Sequence, residues 1–397
     1  MTRHTALNAS RMKSSNYRRI LDELRISPFS RSDLARRTGL TRAAISLIAD
    51  ELLQAHIIVE GNTVAPKASG RSSTELHWNK DAFYCIGLCL RRNYFGVGLH
   101  DFCGNLIASE YADVKAPYNT REAIFEKICE MIDNALETHT PSGKFLGIGV
   151  GARGHIDDAD GIIDNPTGLE ILHKAPIVPF LQTRYHCNVV IKNDACSQAL
   201  AELSYGVKDK YDSFFVLEIT GGIGGGLILN RKLVSGTLGN GNEVGHTTIN
   251  AFGVKCKCGN TGCAELYATL PNIVAYALET DPRFTSWKNV VDLAYSGDSL
   301  AIDVIKREAF YISTLCVNML NILDFEAIII NGREITYRPV LLLSLIRDQI
   351  PARLLVKRYR KVDLITSSIT EYTDILSAAN LVLDDYLKKL NFPPTPQ

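Results

Sequence analysis

Four side chains within eighteen residues have the types and spacing to hold a metal ion: His246, Cys256, Cys258 and Cys263, arranged His-x9-Cys-x-Cys-x4-Cys. Three thiolates and one imidazole match the tetrahedral donor set of Zn²⁺, and four protein ligands close the shell, which makes such an ion structural. Gly253, Gly259 and Gly262 permit the tight turns that bring the sulfurs together. Thiols that merely fill a core sit in apolar runs, as Cys85 and Cys316 do, whereas Cys256–Cys263 lie among Lys, Asn, Thr and Gly. One structural Zn²⁺ is expected, held by the segment 246–263.

Carboxylates flank that segment. Glu243 lies three residues before His246, and Glu265 two after Cys263. Asn193-Asp194 lies at the end of an expected strand, Val189–Lys192, where it would line a cleft. Paired carboxylates with an amide suit a polyol, whose hydroxyls need acceptors. A further candidate is the glycine run Thr220–Gly226. Its backbone N–H groups could approach phosphate or a sugar. It follows neither the P-loop nor the dinucleotide pattern, and a tight turn between two strands accounts for it equally.

The body that must position these groups opens each of its halves in the same rhythm. Phe83–Leu90, Phe95–Leu99 and Leu106–Tyr111 read as three strands, with a turn at Asp101–Asn105. Phe214–Ile219, Gly226–Leu229 and Leu233-Val234 repeat them, with a turn at Asn230–Lys232. Arg121–Leu136 and Ser299–Leu323 carry apolar residues at helical spacing. Strand meanders alternating with helices predict α/β lobes, and the duplication predicts a cleft between them.

Ahead of this body the charge changes. The chain has 43 basic and 43 acidic residues, but twelve against six through Arg71 and 31 against 37 beyond it. A basic head on an acidic body suggests a nucleic-acid-binding module. Tyr17, Ile20, Leu21 and Leu24 recur at helical spacing until Ser27-Pro28. Ser30 can cap a second helix with Leu34 and Ala35 inward, and Gly39 can end it. Thr41 can cap a third, with Ile45, Ile48, Leu52 and Leu53 on one face. That is a helix-turn-helix. The start of its third helix presents Thr41, Arg42, Ala43, Ala44 and Ser46, short or basic side chains suited to the major groove of duplex DNA, where Arg42 could reach a guanine edge or a phosphate. Ile57–Val59 and Thr74–Leu76 read as the strands of a wing with the basic tip Lys67–Arg71, so Arg71 joins the candidate DNA contacts.

Composition fits a folded, multidomain chain. With 397 residues, 46% hydrophobic and 22% charged, it is neither disordered, collagen-like nor a coiled coil. Apolar stretches such as Val340–Leu343 are too short to span a bilayer. Met1–Lys13 is polar and lacks the apolar core of a secretory signal. Ten scattered cysteines without small-domain spacing predict a reducing, cytoplasmic location.

The run Glu243-Val-Gly-His246, continued by Gly253-x2-Cys256-x-Cys258-Gly259-x2-Gly262-Cys263-x-Glu265, resembles the signature of the ROK family of sugar kinases and transcriptional repressors. The likeness extends from about residue 15 to 388 and takes in Gly151-x-x-Gly154, Asn193-Asp194, Gly221–Gly226 and Ile328–Gly332. It implies an N-terminal winged helix-turn-helix domain over residues 1–80 and a two-lobed, actin-like domain over residues 81–390, with sugar bound between the lobes. In the family's kinases the residue matching Asp194 takes the proton of the sugar hydroxyl, and those matching Asn193, Glu243, His246 and Glu265 hydrogen-bond the sugar. The kinases' phosphate loop begins with a strand-ending Asp followed by a Gly-Gly-Thr turn. Here Cys89, Arg91, Arg92 and Asn93 occupy those positions, and a thiol is a poor Mg²⁺ ligand. Arg153 also stands where the family usually carries a small residue or Pro.

The expectation is a non-enzymatic regulator of carbohydrate uptake or catabolism genes, of the repressor branch. It would bind an operator as a homodimer or higher oligomer and respond to a sugar or sugar phosphate. Two alternatives are a sugar kinase with an appended DNA-binding domain, and a regulator controlled by a partner protein with a vestigial sugar site.

Overall fold

The structure is a computed structural model that describes residues 9–64, 73–139, 141–157, 160–166, 168–237, 239, 241–355, 361–369 and 371–389. The chain forms two compact units. One takes the residues up to Asn193 and those from Asp374 onward; the other is Asp194–Thr373.

The first unit begins with helix α1 (Ala9–Ile26), strand β1 (Phe29–Ser30), and helices α2 (Arg31–Thr38) and α3 (Arg42–Gln54). Tyr17, Ile20 and Leu21 are fully buried, and Leu24 nearly so. The side chain of Ser30 accepts the Asp33 N–H at 3.2 Å, capping α2. Gly39 ends α2 at φ 68°, where a side chain would be strained, and its N–H donates to the Ala35 carbonyl. Thr41 then accepts the Ala44 N–H at 3.2 Å and starts α3. α3 buries Ile45, Ile48, Ala49 and Leu52. The expected inward residues Ala35 and Leu53 are only half-buried, and Thr38 takes the inward place in α2.

Strands β2 (Ile58–Val64) and β3 (Ser73–Trp78) complete an antiparallel sheet in the order β1-β3-β2. This is a winged helix-turn-helix. The wing tip Lys67–Arg71, with the candidate contact Arg71, lies outside the described residues. At the foot of the wing the Trp78 indole donates to the Leu21 carbonyl at 3.1 Å and stacks on Phe102, ring centroids 4.4 Å apart. Through Phe102 the module is packed onto the body of its unit.

That body is a five-stranded sheet. Strands β4 (Phe83–Leu90), β5 (Tyr94–Asp101) and β6 (Leu106–Asp113) form a meander, followed by α4 (Arg121–His139) and β7 (Lys144–Ala152). A small hairpin, β8 (His155–Asp157) and β9 (Ile162–Asn165), then α5 (Ile177–Tyr185), lead to β10 (Val189–Asn193). The order is β10-β7-β4-β5-β6, with β4, β7 and β10 parallel.

The second unit repeats the plan. After α6 (Asp194–Ala201) come β11 (Phe214–Ile219), β12 (Ile223–Leu229) and β13 (Lys232–Leu233). Helices α7 (Glu265–Ala268), α8 (Leu270–Thr280), α9 (Trp287–Tyr295) and α10 (Ser299–Ile322) precede β14 (Ala327–Asn331), α11 (Val340–Arg353) and β15 (Asp363–Thr366). The order β13-β12-β11-β14-β15 matches the first sheet strand for strand. The repeated rhythm in the sequence is a duplicated lobe.

Gly224 and Gly225, expected in a loop, lie inside β12; α6 packs too close to Gly224 and Gly226 for side chains, and Phe215 and Val244 crowd Gly225. A Cβ on Gly226 would stand 2.5 Å from the Ala195 carbonyl oxygen, and one on Gly224 2.9 Å from the Ala195 Cβ. These glycines admit a helix.

The last helix, α12 (Thr373–Lys389), lies on β4 and β7 by the same device. A Cβ on Gly87 would fall 1.9 Å from the Ile375 carbonyl oxygen, and one on Gly149 1.8 Å from that of Ala378. Backbone cannot yield as a flexible side chain would. Gly87→Ala is therefore expected to destabilise the protein by roughly 1–3 kcal/mol, read as a lowered midpoint in urea unfolding. An unchanged midpoint would show that α12 can move away at no cost. Among the described residues, no helix is long and apolar enough to cross a membrane.

Candidate metal centre and ligand-binding residues

Beyond β13 the chain makes a short 3-10 turn, Val244–His246, that presents His246. Isolated bridges between Thr248 and Cys263 and between Lys255 and Thr261 then fold the segment back on itself. The Gly259 N–H donates to the Cys256 carbonyl at 3.0 Å, and the Gly262 N–H to that of Val254 at 2.8 Å. Gly262 has φ 68°, and a Cβ there would lie 1.7 Å from the Asn250 carbonyl oxygen, so only glycine closes this turn. The Asn260 amide donates to the His246 carbonyl at 2.9 Å and ties the two ends together.

The ligand atoms of His246, Cys256, Cys258 and Cys263 all lie within 4.8 Å of one another. Cys258 Sγ is 3.7 Å from Cys263 Sγ, and Cys256 Sγ is 3.8 Å from His246 Nδ1. A tetrahedron with metal–sulfur bonds of about 2.3 Å has edges of about 3.8 Å, so the four donors stand at coordination spacing. The Asn260 backbone N–H beside Cys258 draws its thiol below the usual range, while burial pushes the Cys263 thiol up to about 12. This cluster can hold a metal ion.

With Nδ1 facing the sulfurs, His246 turns Nε2 toward Glu265, 3.7 Å from Oε2. A carboxylate beside the second nitrogen orients a ligating imidazole. Glu265 opens α7, two residues after Cys263, so the cluster also fixes where that carboxylate stands. Glu243 precedes the 3-10 turn, and its carbonyl accepts the His246 N–H at 3.1 Å. His246, Glu265 and Glu243 thus belong to one framework.

Other elements carry the remaining candidates. Asn193 ends β10, and its amide donates to the Gly154 carbonyl at 3.1 Å. Asp194 opens α6 and is 7% exposed, with Oδ1 accepting the Ala195 N–H at 2.9 Å. A buried relay absent from the sequence reading braces α6: Gln198 donates to Glu218 at 2.8 Å, and Asn331 donates to Gln198 at 2.6 Å. In the first unit Cys89 is buried, with Sγ 3.5 Å from Asp374 Oδ2. Tyr94 and Tyr111 also donate to the Asp374 carboxylate, at 2.8 and 3.2 Å. Burial first, and Asp374 second, hold the Cys89 thiol well above its ordinary range, so it stays neutral. The Arg91 N–H donates to the Tyr94 carbonyl in the β4–β5 turn, and the Arg92 side chain lies over Gly168. Asp374, 280 residues from Tyr94, had no local signal to mark it. In the winged module Thr41, Arg42 and Ala43 are exposed and Ser46 is half-buried.

A sequence model of the ROK family matches residues 85–385. The chain belongs to the ROK family. The xylose repressor of Bacillus subtilis (strain 168) is 29% identical over 381 residues, 95% of this chain and 97% of that protein. A crystal structure of a ROK family transcriptional regulator, a homolog of the E. coli MLC protein, superposes with a TM-score of 0.78 at 24% identity, covering 95% of this chain and 97% of the other. A ROK family glucokinase from Streptomyces griseus, solved with glucose and AMPPNP, gives a TM-score of 0.64 at 24% identity. It covers 75% of this ROK chain and 98% of itself. The regulators extend over nearly the whole chain; the kinase accounts for three quarters.

Proposed function

We propose that this ROK protein is a sugar-responsive transcriptional repressor that controls genes of carbohydrate uptake or catabolism and turns over no ATP. The observation that carries the reading is the match to a xylose repressor along 95% of the chain, in a molecule with a winged helix-turn-helix ahead of the duplicated lobes. Residues 1–80 are the DNA-binding module and residues 81–390 the ligand-responsive part. Asn193, Asp194, Glu243, His246 and Glu265 hold a sugar or sugar phosphate. Zn²⁺ bound by His246, Cys256, Cys258 and Cys263 supplies a rigid anchor with no open coordination position. The protein works in the cytoplasm as a homodimer or higher oligomer, since paired modules read half-sites about one helical turn apart. Ligand shifts the balance between states of different DNA affinity.

A sugar kinase with an appended domain is the second reading, favoured by the retained Asp194. An ATP-consumption assay across a panel of sugars separates the two. The repressor reading expects no sugar-dependent turnover, together with operator binding that a sugar or sugar phosphate weakens. Sugar-dependent ATP consumption would overturn it. Arg42→Ala is expected to weaken specific DNA binding by roughly 1–3 kcal/mol through loss of a bidentate base contact. Unchanged affinity in a gel-shift titration would remove Arg42 from the interface.

A further inference from the structure

The exposed face of α3 has an apolar centre. Ile45, Ile48, Ala49 and Leu52 point into the core of the module. Helical geometry then sets Ala43, Leu47, Asp50 and Gln54 along the opposite face. All four are exposed, and Leu47 is 58% exposed. A lone exposed leucine needs no explanation. Its electrostatic setting does point to a partner. The first turn of α3 carries no acid, and the acids farther along are matched: Asp50 by Arg31 at 2.8 Å, and Glu51 by Lys13 at 3.0 Å. Arg42 stands exposed at the positive end of the helix dipole.

An apolar spot with Arg42 at the helix N-terminus on one side and a charge-paired Asp50 on the other fits a polyanion that has a methyl group recessed between its charges. The major groove offers that as the 5-methyl group of thymine between two phosphate backbones. A protein partner fits poorly, because one leucine and one alanine fall far short of an apolar interface core.

We propose that Leu47, with Ala43 one turn before it, reads thymine 5-methyl groups in the major groove, so that each half-site carries an A·T pair at that position. The proposal rests on the DNA-binding reading above. The full-length protein would be used to enrich sites from a randomised duplex pool. The enriched duplex would then be rebuilt with deoxyuridine for thymine one position at a time, which removes a methyl group and leaves base pairing intact. Wild-type protein is expected to lose roughly three- to fivefold in affinity at one or two thymines of each half-site, the effect of exposing one methyl. Leu47→Ala, at an exposed position that leaves the core untouched, is expected to lose the methyl effect at one of those thymines. A flat wild-type uracil scan, or a Leu47→Ala scan that keeps the wild-type loss at every thymine, overturns the contact. If no sequence is enriched, the DNA-binding reading fails and takes the contact with it.

Discussion

Cys258→Ser or Cys263→Ser is expected to yield a protein that purifies without zinc, no longer responds to sugar, and still binds DNA. Each substitution removes one of four donors now at coordination spacing, 3.7 Å apart in the case of these two sulfurs. A three-ligand site loses much of its affinity, and the binding free energy that folds such a segment is lost with the metal. Apart from the donors, residues 246–263 are held by two isolated bridges and a few hydrogen bonds. They contain no named strand or helix beyond the 3-10 turn, and Phe252 at their tip is fully exposed. Freed from the ion, His246 no longer aligns with Glu265, and two of the proposed ligand-binding groups lose their placement together. The winged module belongs to the other unit and has its own core of Tyr17, Ile20, Leu21, Ile45 and Leu52. Elemental analysis paired with operator binding, with and without sugar, reads both halves of the expectation. A zinc-free variant that still responds fully to sugar would show that the metal centre has no part in switching.

Local pattern carried much of this structure in the sequence. The spacing of Ile45, Ile48 and Leu52, the cap at Thr41 and the glycine at 39 each act within one turn of chain, so they are legible residue by residue. The metal cluster was legible for the same reason, since all four donors lie on one short segment. What was hidden is what distant segments impose on one another. Gly224 and Gly225 look like a loop until α6 is seen against one face of the strand and Phe215 and Val244 against the other. Asp374 draws meaning from Cys89, Tyr94 and Tyr111, which reach it only after the chain has built both lobes. Leu47 sits beside Ile48 and has the same apolar character; exposure alone separates the residue that faces outward from the one that builds the core.

Asp194→Asn is expected to weaken sugar binding by about tenfold to a hundredfold while leaving operator affinity in the absence of sugar unchanged. The substitution is close to isosteric. The amide oxygen can still accept the Ala195 N–H that Oδ1 now accepts at 2.9 Å, so the start of α6 is preserved. What changes is the charge and the second oxygen, which becomes a donor. A hydrogen bond from a sugar hydroxyl to an ionised carboxylate contributes about 1.5–3 kcal/mol, and an amide nitrogen facing that hydroxyl offers a donor where an acceptor is needed. The split between binding and turnover makes this variant informative. In a kinase, a general base contributes chiefly to the transition state, so the same change would lower the rate far more than the affinity. In a repressor the carboxylate has only ground-state binding to contribute, and the whole effect must appear in the dissociation constant. The probe is whichever member of a panel of pentoses, hexoses and their phosphates gives the largest thermal shift, titrated by calorimetry into both proteins. Equal affinity in the two would take Asp194 out of the ligand site. A loss of sugar-dependent ATP consumption with affinity intact would return it to the role of catalytic base.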